Sequence, residues 1–245
     1  MCRIRRMVRD GARGVVHALG GVAGRPVSPV LHPPLRAWLG LIAALGALVV
    51  VVFGVLYAGH GESGRVDRWI IRPTADSVGP PWRYVALATD FLGEPVGAAT
   101  LVVVSVAGCL RLRRPRAAVL AVAGPGLAVV TTKALKPLVG RTIHGDANLS
   151  YPSGHTAFLT ALATVVALLA AGRLGLGRAA GTLVVLAAAV VAGAAMGWAQ
   201  VALGAHYPTD VLGGWCTALA VVPVTAWLVD RTADRSAEVG RRERR

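Results

Sequence analysis

Three short stretches gather the side chains of this sequence that could do chemistry: Lys136-Pro-Leu-Val-Gly-Arg141-Thr-Ile-His144, Tyr151-Pro-Ser153-Gly154-His155-Thr, and Gln200-Val-Ala-Leu-Gly-Ala-His206-Tyr-Pro-Thr-Asp210. His206 and Asp210 are four residues apart, a spacing that on one helix face lets a carboxylate hold an imidazole N–H. An imidazole fixed in one tautomer can act as a nucleophile near neutral pH. His155 supplies a second group titrating in that range, suited to general-acid work. Pro-Ser-Gly directly before an apolar run reads as a tight turn and a helix start, with Ser153 as the cap and unpaired backbone N–H groups beyond it. Such an end attracts anions, and Lys136 and Arg141 bring positive charge to phosphate oxygens. Taken singly, each stretch is ordinary: His-x-x-x-Asp is commonly a cap beside a surface His, Ser-Gly-His a turn, and an interfacial Lys or Arg a snorkelling anchor. What raises them above the ordinary is where the rest of the chain puts them.

The elements that must position these groups are membrane helices. Of the 245 residues, 55% are hydrophobic and 16% charged, too apolar for an ordinary soluble domain. About 20 apolar residues cross roughly 30 Å of hydrocarbon. Runs at 37–58, 153–172, 179–205 and 211–229 contain no Asp, Glu, Lys or Arg, and weaker runs at 95–110 and 117–132 carry charges at one end only. The expected fold is therefore all-α and polytopic, with six transmembrane helices. The formal charge of +14 sits in clusters between uncharged runs rather than on one amphipathic face, which argues against nucleic acid as a partner. Three cysteines, Cys2, Cys109 and Cys216, show neither a disulfide framework nor zinc-ligand spacing.

Orientation follows from the basic residues. With both termini cytoplasmic, 19 Arg and Lys fall inside and seven outside, while acidic residues divide five to seven. This predicts a basic cytoplasmic tail over 1–36, drawn to anionic lipid headgroups, a six-helix membrane domain over 37–229, and a second basic cytoplasmic tail over 230–245. The chain then belongs in the cell membrane, and the three chemical stretches gather at the outer ends of spans three to six, where polar residues mark a site. Asp90 and Glu94, at the outer end of the second span, read chiefly as interfacial structural residues, with the lining of a lipid entrance as the second reading.

These stretches resemble the motifs of the type 2 phosphatidic acid phosphatase family, which includes the vanadium haloperoxidases: Lys-x6-Arg-Pro, Pro-Ser-Gly-His, and Ser-Arg-x5-His-x3-Asp. The second is complete as Pro152 to His155, the third keeps His206 and Asp210, and the first keeps Lys136. The resemblance covers roughly residues 37 to 229. Two departures remove family arginines: Ile143-His144 stands where Arg-Pro belongs, and Ala199-Gln200 where Ser-Arg belongs. Arg141, Lys133 and a protonated His144 are the nearby candidates to replace the lost charge, and Gln200 can still donate neutral hydrogen bonds. The resemblance implies a metal-independent phosphomonoester or diphosphate hydrolase without a cofactor. In it His206 attacks phosphorus and forms a phosphohistidine, Asp210 orients His206, and His155 protonates the leaving oxygen. Ser153, the Gly154 N–H, Lys136 and Arg141 would stabilise the phosphoryl oxygens, and the substrate would be a membrane lipid phosphate or polyprenyl diphosphate. The competing reading is a catalytically impaired relative that binds phospholipid or acts as a membrane scaffold, motivated by Ile143 and Gln200.

Overall fold

Long helices whose outward faces stay apolar dominate the chain, the arrangement of a protein solvated by hydrocarbon rather than water. The computed structural model describes residues 28–243. A 3-10 turn, Pro33–Leu35, leads into α1 (Arg36–Leu56). There follow α2 (Arg65–Ser77), α3 (Trp82–Phe91), α4 (Pro95–Arg111), α5 (Pro115–Val139), α6 (Gly154–Arg173), α7 (Arg178–Ala202) and α8 (Pro208–Arg242). Among the described residues five helices are long and apolar enough to cross a membrane, counting the 3-10 turn with α1, and α3 with α4, bent by 63°, together have the length and apolarity of a sixth. On α1, Leu41, Leu45, Leu48, Val51 and Val55 all point outward and are exposed.

The core lies where the central helix α6 meets α5, α7 and α8, with α1 along the far side of α8. Its residues are small: Ala121 and Ala128 of α5, Ala157 and Ala161 of α6, Ala218 and Ala226 of α8 are buried, and Val165, Leu168 and Val222 fill between them. Small residues let backbones approach in a bilayer, where the hydrophobic effect does not drive helices together. On α7 a Cβ at Gly193 would meet the Trp215 ring at 2.2 Å and one at Gly197 the Val211 side chain at 2.3 Å, so this Gly-x3-Gly pair is the seat of α8.

Three features differ from the sequence expectation. The second span is not one helix: Leu92, Gly93 and Glu94 break it, and Pro95 starts α4 with a new axis because its ring cannot donate into the preceding turn. The connection between α1 and α3 holds a further helix, α2, too short and too charged for hydropathy to register as a span. The carboxy-terminal segment expected as a tail from 230 continues α8 as far as Arg242. Its 35 residues measure about 52 Å, well beyond one hydrocarbon thickness. Most of the basic leader lies outside the described residues, but 28–36 is packed. Val30, Leu31 and Leu35 are buried, and the Val30 and Leu31 N–H groups donate to the Asp230 carboxylate at 2.9 Å each. Arg116 bridges Asp230 and Asp234, which pins this end of α8 to the start of α5.

Candidate active site

At the end of the bundle where α5 and α7 stop and α6 and α8 begin, the three chemical stretches meet. Gly140 ends α5 with φ +65°, a left-handed conformation that suits glycine and turns the chain sharply into Arg141. A short hairpin follows, paired by Ile143 N–H to Asn148 carbonyl (3.0 Å) and Ser150 N–H to Arg141 carbonyl (2.8 Å), and it delivers Tyr151 to Ser153 to the top of α6. Ser153 caps α6 as its sequence predicts: its hydroxyl accepts from the Thr156 N–H at 3.4 Å and contacts the Thr156 hydroxyl at 3.1 Å. The Ser153 N–H donates to the Asp210 carbonyl at 3.0 Å, tying the starts of α6 and α8 together. Gly214 permits that approach, since a Cβ there would lie 2.3 Å from the Ser153 carbonyl oxygen.

His206 sits in the tight connection between α7 and α8, its side chain 10% exposed. Its Nδ1 lies 3.7 Å from Asp210 Oδ2, within ion-pair range and longer than a hydrogen bond. Such contacts commonly tighten when substrate binds. The pair meets for a different reason from the one its spacing suggested. Helix α8 starts at Pro208, so His206 precedes the helix. Asp210 curls back to accept the Tyr207 N–H at 3.0 Å, and this capping turn brings its carboxylate to His206. Burial pushes the His206 imidazole below its ordinary range, Asp210 works the other way, and Lys136 and His155 lower it further. Burial therefore favours the neutral ring, the form a nucleophile needs.

His155, in the first turn of α6, faces the broken second span. Its Nε2 lies 3.5 Å from Glu94 and 3.8 Å from Asp90 and has no hydrogen-bond partner among the described residues. Gly93 makes the room: a Cβ there would lie 2.2 Å from the His155 ring. Asp90, Glu94 and His155 have ligand atoms within 4.8 Å of one another, the grouping among the described residues with metal-ligand spacing. These carboxylates, read from the sequence chiefly as interfacial structural residues, lie beside His155.

The remaining candidates divide. Lys136, in the last turn of α5, donates to the Leu149 carbonyl at 2.6 Å, which leaves donors of its ammonium for a ligand. Lys133 is exposed one turn earlier. His144 Nε2 contacts the Gly204 carbonyl at 2.8 Å, linking the hairpin to the His206 connection. Ile143, at the position of a family arginine, is buried in the hairpin. Gln200 is buried and its amide donates to Asp90, so it braces the second span against α7.

Arg141 departs furthest from expectation. Read as a phosphate ligand, it is instead fully buried, with Nη1 donating to Thr209 Oγ1 and Asp210 Oδ1 at 2.6 Å each and Nη2 to Asp67 Oδ2 at 2.7 Å. Its guanidinium lies between the rings of Tyr57 (4.1 Å) and Tyr207 (4.6 Å). Its Nε is also buried and has no hydrogen-bond partner among the described residues, while both Nη groups are committed to the carboxylates and Thr209. The sequence reading missed Asp67 and Thr209 altogether, and only the approach of α2 to α8 could reveal them.

Comparison with known proteins agrees with this picture. A solved structure described as the first transmembrane PAP2 type phosphatidylglycerolphosphate phosphatase from Bacillus subtilis superposes with a TM-score of 0.61, at 23% identity, over 79% of this chain and 96% of that one. No curated protein matches in sequence. The family model of the PAP2 superfamily matches residues 96–234, more than half the chain and every motif above. With that match and the meeting of its motifs at one end of the bundle, the chain belongs to the PAP2 superfamily.

Proposed function

We propose that this membrane phosphatase hydrolyses a lipid phosphate or polyprenyl diphosphate at the extracytoplasmic face of the cell membrane through a phosphohistidine on His206. The observation that carries the reading is the convergence of His206, Asp210, His155, Ser153 and Lys136 from three separate stretches on one end of the bundle. Nε2 of His206 attacks phosphorus as the P–O bond to the lipid breaks, and His155 gives its proton to the leaving oxygen. Water then attacks phosphorus, His155 takes the water's proton, and the P–N bond breaks to release phosphate. Lys136, the Ser153 hydroxyl and the Gly154 N–H offset charge on the phosphoryl oxygens, with Lys133 at the rim. The substrate class rests on the similar solved structure, described as a phosphatidylglycerolphosphate phosphatase, and on the membrane-spanning helices that carry the site.

Purified protein is expected to release inorganic phosphate from at least one of phosphatidic acid, phosphatidylglycerophosphate and a polyprenyl diphosphate, and to do so equally in EDTA. The buried Arg141 and the Gln200–Asp90 bond favour a second reading, a phospholipid-binding relative with little turnover, because they leave the lost family guanidiniums unreplaced. Binding of vesicles containing a lipid phosphate without release of phosphate from any of them selects that reading.

Orientation has its own test. The 19 to seven division of basic residues supports a site outside, with anionic headgroups at the opposite, basic face. In a background lacking the native cysteines, Asp146→Cys is expected to react with an impermeant maleimide on intact cells, and Arg113→Cys only after permeabilisation. The reverse pattern inverts the protein and puts the site inside.

A further inference from the structure

Asp67 is a fully buried carboxylate that the chemistry above does not use. It stands in the first turn of α2, where its Oδ2 accepts the Gly64 N–H at 3.0 Å and Arg141 Nη2 at 2.7 Å. Its Oδ1 accepts the Thr209 N–H at 3.0 Å and the Thr209 hydroxyl at 2.9 Å. Thr209 and Arg141 are also the groups that touch or precede Asp210. One guanidinium therefore bridges two buried carboxylates, and only one of those carboxylates faces His206.

The charges explain why two are needed. A guanidinium paired with Asp210 alone would cancel the negative charge that His206 needs opposite it while its ring carries the phosphoryl group. With Asp67 on the other side of Arg141, the three groups carry one net negative charge. The guanidinium also holds Asp210 Oδ1, which turns Oδ2 towards Nδ1 of His206. We infer that Asp67 is a positioning residue for the nucleophile: acting through Arg141 and Thr209, it fixes the rotation of the Asp210 carboxylate and preserves its charge. The inference rests on the assignment of His206 as nucleophile.

Asp67→Asn keeps the shape and removes the charge. Its kcat is expected to fall about 10- to 100-fold, the range typical of partners that orient a reacting group from behind, with KM changed less than about threefold. Adding Arg141→Gln to Asp67→Asn removes the cation that would then cancel the Asp210 charge and should recover at least about threefold of the lost kcat, a non-additivity expected of coupled charges. A role in folding alone predicts the double variant to be worse than either single one, and that result overturns the inference. If Asp67→Asn does not fold, Thr209→Val takes its place: it removes the hydroxyl joining Asp67 to Arg141 and should lower kcat about three- to tenfold at constant KM. An unchanged kcat in that variant overturns the inference equally. His206→Ala, assayed alongside, separates the two levels of the argument. If it is inactive and Asp67→Asn is fully active, the positioning role fails alone, whereas an active His206→Ala fails the nucleophile assignment itself.

Discussion

His206→Ala is expected to abolish phosphate release, a loss of about 10⁴-fold or more in kcat, because it removes the group assigned as nucleophile. The supporting geometry is specific. The imidazole is buried, held below its ordinary basicity by that burial, and backed by Asp210 at 3.7 Å. His155→Ala should behave differently. It removes the proton donor, worth about 10²- to 10⁴-fold for an alkoxide leaving group, yet a nitrophenyl phosphate, whose leaving group needs no proton, should still phosphorylate His206. Equal losses on the two substrates would deny His155 the role of acid.

Arg141→Ala carries the second large effect, and it separates the buried network from the phosphate-ligand role that the sequence suggested. Removing the guanidinium leaves Asp67 and Asp210 buried without a counter-charge, a loss of about 3–5 kcal/mol for a broken buried pair. The variant is expected to melt well below the wild type in detergent and to lose kcat rather than raise KM. Arg141→Lys, which keeps the charge but cannot bridge two carboxylates with a planar fork, should fall between. A variant Arg141→Ala that melts like the wild type with KM raised at least tenfold would return this guanidinium to the substrate phosphate.

The contrast between Arg141 and Ser153 shows which parts of the molecule were legible in the sequence. Ser153 acts within three residues of itself, so its capping role could be read from Pro-Ser-Gly-His ahead of an apolar run. The spans were legible because hydrocarbon selects on length and apolarity, and every expected crossing coincides with a helix or with the bent pair α3 and α4. Arg141 takes its partner from 74 residues away, in a helix too short and too charged for hydropathy to register. The same limit hid the bracing of Asp90 by Gln200 across 110 residues: the sequence shows a lost guanidinium and not the partner gained. His206 and Asp210 were identified from a spacing that is right for a helix face, although a capping turn is what joins them. The break at Gly93 was invisible for a related reason, since glycine there is set by the His155 ring rather than by its neighbours in the chain.

The most direct test of the account is to trap the phosphoenzyme. Wild-type protein mixed with a lipid phosphate labelled at phosphorus and quenched in alkali should carry label that is stable to base, labile to acid and confined to the peptide containing His206. It should be absent from His206→Ala and accumulate when the leaving group is activated and His155 is replaced. Phosphate release in normal yield with label on a residue other than His206, or base-stable label retained in His206→Ala, would contradict the account.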